Sequence, residues 1–363
     1  MKTVFAAGLA IWTWNVVGRA GEVIPFDDGR WAIEAGEHRL ETYKGRSCLF
    51  LKDGMATLRG ENMLDGTIEC DIALPNERGF MGVFWRMQGS ADYEEFYLRP
   101  HQSGKPDANQ YTPVFNGFAG WQLYHGEDYA TQMDYPFGEW MHLKLVFSGN
   151  RAEIYIDSET PTLIVPELKR EALTGLMGVK AAFAPARFAN FRFEPGATQL
   201  AATQAKAKPG PENRVTRWSL ALYPAGEAKL NARLTDTAPL HWTSMAAEAT
   251  GILNLARLAG VSRGNNTVLA RLVLNSERQR SVPIAFGYSD RVRVYINGNL
   301  LYAGQNNYRS RDFRYLGTIG LFDQIHAALN TGRNEIIFAV SESFGGFGIM
   351  AALDTEPGLS LEP

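Results

Sequence analysis

Two neighbouring stretches of this sequence decide its fold: Gly79-Phe-Met-Gly-Val-Phe-Trp-Arg-Met-Gln88 and Tyr93-Glu-Glu-Phe-Tyr-Leu-Arg-Pro-His101. Side chains alternate in both stretches as they do in β-strands, where successive residues point to opposite faces of a sheet. Alternation puts Phe84 and Arg86 on one face of the first strand. One face of the second strand carries four polar or ionisable side chains: Glu95, Tyr97, Arg99 and His101. Such a face is costly to bury, so we expect it to form the floor of a polar groove on a β-sandwich.

Composition supports an all-β protein. The 363 residues include 36 glycines and 12% aromatic residues, a mixture typical of sheets joined by many turns. The formal net charge is −3, which gives no electrostatic case for binding nucleic acid. Beyond the N-terminus, no segment is long and apolar enough to cross a bilayer, so we expect no membrane insertion. The sequence does not indicate an oligomeric state.

The N-terminus predicts export. Lys2 is followed by a mostly apolar run to Val17 and by the small residues of Gly18-Arg19-Ala20, which is the pattern of a signal peptide over residues 1–20. We therefore expect a secreted or periplasmic protein, with an N-terminal strand as the alternative. In such a compartment Cys48 and Cys70 would form a disulfide if their strands were neighbours. Two buried free thiols are the equal alternative.

The chain divides at a composition change. Residues 197–213 contain almost no large apolar side chain and end in Pro-Gly-Pro-Glu-Asn, which predicts a linker. The sequence therefore predicts two β-sandwich (jelly-roll) domains in series, at 21–196 and 214–363. The strands expected in them are Arg30–Glu34, Arg39–Tyr43, Thr67–Ala73, Trp140–Phe147, Ala152–Ile156, Phe188–Phe193, Thr267–Leu274, Ser281–Gly287, Arg291–Ile296 and Glu335–Val340. Turns are predicted at Asp53-Gly54 and Asn297-Gly298, and a short helical turn at Leu253–Leu258.

Residues 22–194 resemble the concanavalin A-like superfamily of lectins, glucanases and laminin-G-like domains. The resemblance rests on Leu64-Asp-Gly-Thr-Ile-Glu-Cys-Asp-Ile72, on the Gly79–Arg86 strand, and on Glu139-Trp-Met-His-Leu-Lys-Leu-Val-Phe147. Residues 215–353 are similar to the galactose-binding-like jelly rolls appended to secreted glycosidases. That second resemblance rests on Arg291-Val-Arg-Val-Tyr-Ile-Asn-Gly-Asn-Leu-Leu-Tyr302 and on Leu329–Phe338. Both resemblances imply sandwich folds, and the superfamily includes binders, hydrolases and adhesion modules.

The sequence argues against the catalytic strand of the laminarinase-type glucanases. Members that resemble this fold carry Glu-x-Asp-x-x-Glu, whose carboxylates act as nucleophile and general acid. Here Glu69-Cys70-Asp71 begins the pattern, but Leu74 occupies the position of the last carboxylate. Glu94 and Glu95 would point to opposite faces of one strand. Glu95 acting with a loop carboxylate such as Asp107, Glu127 or Asp128 is therefore the weak catalytic candidate.

Carbohydrate binding is the favoured function. Sugars stack their apolar face on aromatic rings and accept bidentate hydrogen bonds from arginine and amide side chains, and about forty residues here supply all of these groups. The predicted ligand-binding residues are Arg86, Glu95, Tyr97, Arg99, His101, Gln110, Trp121 and Gln122. Alternatively, the arginines pair with acids inside a structural network and Trp121 lies in the core. A loop-based glycoside hydrolase and an adhesion or structural module with a protein partner are the other functions considered.

The second region offers fewer functional residues. Tyr308 would be a stacking platform if Arg309, Arg311 and Asp312 formed a ligand site, but ion pairs that fasten the loop are the favoured interpretation. We expect no cofactor and no catalytic metal. A structural calcium ion is common in jelly rolls of the type that this region resembles, yet no dense acidic loop calls for one.

Overall fold

The computed structural model describes residues 21–196, 199–201, 206–235, 237–260, 262, 265–311 and 316–362. Its regular elements are antiparallel strands and single turns of 3-10 helix at Pro100–Gln102, Glu227–Lys229 and Leu255–Arg257. The predicted all-β class is therefore confirmed. No helix in these ranges is long and apolar enough to span a membrane. The predicted signal peptide lies outside the described residues, as do parts of the predicted linker.

The first half of the chain forms one extensively paired sheet. Its strands are β1 Trp31–Tyr43, β2 Arg46–Met63, β3 Gly66–Ala73, β4 Phe80–Gly89, β5 Asp92–Leu98, β6 Asn109–Phe115, β7 Phe118–Ala119, β8 Ala130–Thr131, β9 Trp140–Ser148, β10 Arg151–Ile156, β11 Leu163–Val165, β12 Gly175–Ala182 and β13 Ala186–Pro195. The main path runs β11-β10-β9-β3-β13-β2-β12-β4-β5-β6-β7, with β1 on β2 and β8 on β6.

Strand β2 lets this sheet curl around its own core. Its first part pairs with β13 through Leu49–Leu51, and its second part pairs with β12 through Gly54–Leu58. The predicted turn at Asp53-Gly54 is wrong, because both residues lie within β2. A Cβ on Gly54 would lie 2.3 Å from the Ala35 Cα of the neighbouring strand, so glycine permits the close pairing of β1 and β2.

One apolar core lies between the two halves of the curled sheet. It takes Ile68 and Ile72 from β3 and Phe147 from β9 on one side, and Trp85 and Phe96 on the other. Each of these positions belongs to the buried half of an alternating strand, as the sequence pattern predicts. The opposite face of β4, β5 and β12 points away from the core. It is this outer face that carries the candidate site.

The second half of the chain contains two further sheets around a second core. Its strands are β14 Arg217–Leu222, β15 Thr243–Ala246, β16 Leu253–Asn254, β17 Thr267–Ser276, β18 Arg280–Ser289, β19 Arg291–Ile296, β20 Asn299–Gln305, β21 Asp323–Leu329, β22 Gly332–Ser341, β23 Gly348–Ala352 and β24 Leu359–Leu361. One sheet has the order β15-β14-β17-β22-β19-β20 with β24 on β17, and the other β16-β23-β18-β21. Trp218, Phe286 and Phe338 pack between them.

The two cores meet at a continuous junction. Ile319 and Met350 of the second half join the first core, while Phe115 and Phe118 pack against the second. The backbone N–H of Gln122 donates to the Gly345 carbonyl at 2.8 Å. Loops of the second half are therefore held beside the outer face of the first sheet.

Both cysteines are buried free thiols. Cys48 lies in β2 and Cys70 in β3, and β13 is inserted between these two strands. The structure thus corresponds to the alternative of two small buried side chains rather than a disulfide. Burial raises the pKa of both thiols, which disfavours the reactive thiolate.

Candidate functional site

A cavity of about 300 Å³ opens on the outer face of β4, β5 and β12. The first sheet supplies its floor, and the second half of the chain adds Tyr308, Leu316 and Phe344 at one side. The residues that line it are Arg78, Phe80, Gly82, Val83, Glu95, Phe96, Tyr97, Arg99, His101, Gln102, Asp107, Ala119, Trp121, Lys180, Ala182, Phe183, Tyr308, Leu316 and Phe344. We call this space the junction pocket.

A glycine leaves room for the pocket. Gly82 lies on β4 between Phe80 and Phe84, which share its face. A Cβ at this position would lie 2.1 Å from the Phe96 carbonyl oxygen of β5. Any side chain would therefore force β4 and β5 apart as well as filling the floor.

Aromatic rings form two groups around the pocket. In the first group, Phe80 lies 5.7 Å from both Tyr97 and Phe183, measured between ring centroids. In the second, Trp121 lies 6.2 Å from Tyr308 and 6.0 Å from Phe344. Phe183 is 66% exposed and Phe344 52% exposed. Large rings left in water beside a cavity are typical of surfaces that bind a ligand.

Arg99 lies between the two aromatic groups. Its Cζ is 6.0 Å from the Phe80 ring centroid and 5.5 Å from that of Trp121. The guanidinium donates to Asp107 Oδ2 at 2.9 Å, to the Tyr97 hydroxyl at 3.0 Å and to Gln110 Oε1. These bonds fix the plane of the guanidinium, so Arg99 is preorganised rather than mobile.

Glu95 occupies the pocket side of β5 and pairs with Lys180 of β12. Glu95 Oε2 and Lys180 Nζ are 2.8 Å apart, and the same ammonium group donates to the Tyr93 hydroxyl at 2.8 Å. Burial alone would lower the pKa of Lys180, but the charge of Glu95 and the Tyr93 contact hold it above its ordinary value. Lys180 therefore remains a cation at neutral pH.

His101 is a neutral side chain in this site. Burial, together with the nearby charges of Arg78 and Arg99, lowers its pKa to about 4. Its ring packs edge-on against Phe80 at 5.4 Å between centroids. At neutral pH it can accept or donate a hydrogen bond without adding charge.

Gln110 and Gln122, two of the predicted ligand-binding residues, contact pocket residues but do not line the cavity. Gln110 is 2% exposed; it accepts from Tyr97 and Arg99 and donates to the Trp121 carbonyl at 2.9 Å. Gln122 is fully buried at the junction, where it donates to the Leu316 carbonyl at 2.9 Å and accepts from Ser289 at 3.0 Å. Both amides therefore position pocket residues, and neither lines the cavity.

Arg86 lies elsewhere, which corrects the placement expected from alternation. It has a φ of 50°, and the pairing of β4 with β5 shifts register between Trp85 and Gly89. This bulge turns the guanidinium to the opposite side of the sheet, because a bulge interrupts the two-residue period. There Arg86 Nη2 binds Asp65 at 2.9 Å and the Gly149 carbonyl at 2.6 Å. Its role is structural.

Glu94 and Glu95 point to opposite faces, as predicted. Glu94 is fully buried in the core and accepts from the Tyr111 hydroxyl at 2.6 Å. Burial raises its pKa to about 7. Of the loop carboxylates considered with Glu95, only Asp107 lines the junction pocket; Glu127 and Asp128 line a different depression.

The Glu69-x-Asp71 pair does not reach the pocket. Glu69 Oε2 lies 3.0 Å from His142 Nε2, and Asp71 Oδ1 lies 2.9 Å from His142 Nδ1. Hydrogen bonds from the His142 ring to these two carboxylates raise the pKa of His142 to about 9. The cluster lies on β3 and β9, away from the strands that line the pocket. It acts as an ion network on that face.

Several pocket residues were not predicted from the sequence. Lys180 follows Gly178-Val179 in a strand of otherwise apolar residues, and a lone lysine there was a usable sign of a polar face. Arg78 and Phe183 lie beside strand ends, and Phe344 precedes a Gly-Gly pair. Tyr308 was considered as a platform only in the less favoured alternative of a ligand site in the second region, and in the structure it lines the junction pocket. Arg311 instead pairs with Asp323, and Asp312 lies outside the described residues.

Nothing in the described part of the chain groups three or more His, Cys, Asp or Glu side chains in a way that would hold a metal ion. The structural calcium ion considered for the second region remains a sequence-based alternative. A ligand of the junction pocket would instead meet aromatic rings and paired charges.

No family model and no curated protein matches the chain. Among solved structures, it is similar to the carbohydrate-binding module CBM66 from Bacillus subtilis, at 19% identity and a TM-score of 0.37 over 46% of this chain and 95% of that one. It is also similar to a Bacillus licheniformis β-glucanase, at 11% identity and a TM-score of 0.34 over 48% of this chain and 99% of that one. A Bacillus subtilis protein with a galectin-like fold is similar at 10% identity and a TM-score of 0.36, over 47% of this chain and 90% of that one. Each of these likenesses covers less than half of this chain.

Proposed function

We propose that the protein binds a carbohydrate in the junction pocket. The observation that carries this proposal is the combination of two aromatic groups with a floor of fixed polar side chains in one cavity. A pyranose has apolar faces and a polar rim, so it stacks on rings while its hydroxyls exchange hydrogen bonds with charged and amide groups.

The fixed floor supports binding in particular. Arg99, Tyr97 and Glu95 are each held by a neighbouring side chain before any ligand arrives. Little side-chain entropy is therefore lost on binding, which favours affinity. The volume of about 300 Å³ lies at the small end of ligand sites, so a short sugar or the end of a glycan chain fits better than the middle of a polymer.

Titration calorimetry against a panel of mono- and oligosaccharides tests the proposal. Replacing Trp121 by Ala removes a ring from the second aromatic group, and we expect affinity to fall about tenfold or more. Trp140→Ala is the matched control, because Trp140 packs beside Tyr43 and Arg46, away from the pocket. Saturable binding that survives Trp121→Ala, or no binding to any sugar at millimolar concentration, would rule the proposal out. The second outcome would favour the adhesion alternative with a protein partner.

Glycoside hydrolysis is a second candidate, because Glu95 and Asp107 line the same cavity. The retaining and the inverting mechanism of two-carboxylate glycosidases both need one carboxyl group to donate a proton to the leaving oxygen. Glu95 is already paired with Lys180 and Asp107 with Arg99, so such a step would first have to break an ion pair. Release of reducing sugar that disappears in Glu95→Gln while binding remains would establish hydrolysis. Binding without product release is the expected result.

A further inference from the structure

The charges that line the junction pocket do not cancel. Three cationic side chains line it, Arg78, Arg99 and Lys180, against the two carboxylates Glu95 and Asp107. Each carboxylate is committed to one cation: Glu95 to Lys180 at 2.8 Å, and Asp107 to Arg99 at 2.9 Å. Arg78 is left over.

Arg78 has no ion-pair partner among the described residues. It is exposed, immediately before Gly79 at the start of β4, and it belongs to the pocket lining. Burial, together with the charges of Arg78 and Arg99, lowers the pKa of His101, so this ring adds no charge to the lining at neutral pH. The described pocket lining therefore carries a net positive charge at neutral pH.

Apolar rings lie beside this charge. Phe80, Phe183 and Trp121 give the cavity wall a largely apolar surface on which the ring of a sugar can stack, next to the charged side chains. A guanidinium also presents two parallel donors that match a carboxylate. A neutral sugar would use these donors only in part.

Building on the proposed function, we propose that the pocket selects an acidic sugar whose carboxylate pairs with Arg78. The chemical class is a hexuronic acid or an oligosaccharide that ends in one. In this arrangement the ring stacks between the two aromatic groups, and the carboxylate occupies the side of the cavity nearest Arg78. Arg99 and Lys180 remain bound to their own acids.

The test compares a hexuronic acid with the matching neutral hexose, for example glucuronate with glucose and galacturonate with galactose, by calorimetry at low and moderate salt. We expect the uronate to bind about 2- to 5-fold more tightly, the range that an ion pair with an exposed guanidinium supplies. Arg78→Gln should abolish that preference, and Arg78→Lys should retain part of it. Arg278→Gln, which changes an exposed arginine in the turn between β17 and β18, should leave it unchanged.

The outcomes separate this inference from the proposed function. Equal or weaker binding of the uronate overturns the acidic-sugar inference while leaving carbohydrate binding intact. A preference that persists in Arg78→Gln overturns the role of Arg78. If neither the acids nor the neutral sugars bind, the proposed function itself fails.

Discussion

The ion pair between Glu95 and Lys180 gives the sharpest quantitative prediction. Replacing Lys180 by Met leaves Glu95 Oε2 without its 2.8 Å partner. The Glu95 side chain is only 6% exposed, so water cannot fully replace the ammonium group. Breaking a fully buried pair costs about 3–5 kcal/mol. Because the Lys180 side chain is 29% exposed, water can enter part of the vacated space, and we expect a loss of about 2 kcal/mol.

Urea unfolding followed by tryptophan fluorescence measures this loss, and the double variant Lys180→Met/Glu95→Gln provides the control. The double variant no longer buries an unpaired charge, so it should recover more than half of the lost stability. Recovery would identify the stranded carboxylate as the source of the cost. A single-variant loss below about 0.5 kcal/mol, within the range of ordinary surface changes, would refute the account. So would a double variant no more stable than Lys180→Met alone.

Two further predictions concern pH. The folded-state pKa of His142 is raised from 6.5 to about 9, so its stabilising contribution is complete below pH 6.5 and is lost as pH rises through about 9. His142→Gln should remove that part of the pH dependence. We expect the effect to be about 1 kcal/mol in the free energy of unfolding, because the ring is partly exposed. Identical curves of unfolding free energy against pH for the parent protein and the variant would contradict this. Glu342 is buried beside Asp290, and burial with that neighbouring charge raises its pKa well above the ordinary value. Its contribution is therefore present below the unfolded-state pKa and lost as pH rises through the folded-state value. Glu342→Gln keeps a neutral side chain near the Phe344 backbone N–H and should flatten the fall in stability that starts above the unfolded-state pKa. A fall as steep as in the parent protein would count against this.

The pH effect expected for Glu342 depends on the groups packed around it. Asp290 Oδ2 accepts from the backbone N–H groups of Ser343 at 3.0 Å and Phe344 at 3.1 Å. Arg291 lies 4.0 Å from the same oxygen and is itself paired with Glu227. Two like charges in contact cannot both ionise cheaply, so the protonated form of Glu342 is favoured beside Asp290.

The sequence predicted the fold class and most strand positions, because alternation is a local property of each strand. Thr67–Ala73 and Trp140–Phe147 each fall within a strand that is one residue longer, and Arg291–Ile296 has the predicted bounds. The opposite orientations of Glu94 and Glu95 follow from the same period. The short helical turn expected at Leu253–Leu258 is a 3-10 turn at Leu255–Arg257.

Part of the site could be predicted and part could not. Glu95, Tyr97, Arg99, His101 and Trp121 were predicted and all line the pocket. Their common location is shown by the structure, whereas ligand binding by these residues remains a prediction.

The residues that the sequence misplaced or did not predict have physical explanations. Arg86 left the predicted face because a bulge at positive φ breaks the alternation, and nothing in the residue types forces that bulge. Phe344 and Tyr308 come from the other half of the chain, about two hundred residues away, so only the packing of the two halves brings them beside Trp121. The division of the chain into domains at 21–196 and 214–363 remains a prediction.

The central claim is that a sugar binds between the two aromatic groups of the junction pocket. Fluorine NMR of protein labelled with 5-fluorotryptophan tests it most directly, with the Trp121 and Trp140 signals assigned by replacing each residue with Phe. The account predicts that a sugar detected by calorimetry shifts the Trp121 signal in a saturable way and leaves the Trp140 signal unchanged. Calorimetric binding without a shift at Trp121 would place the ligand elsewhere and contradict the account.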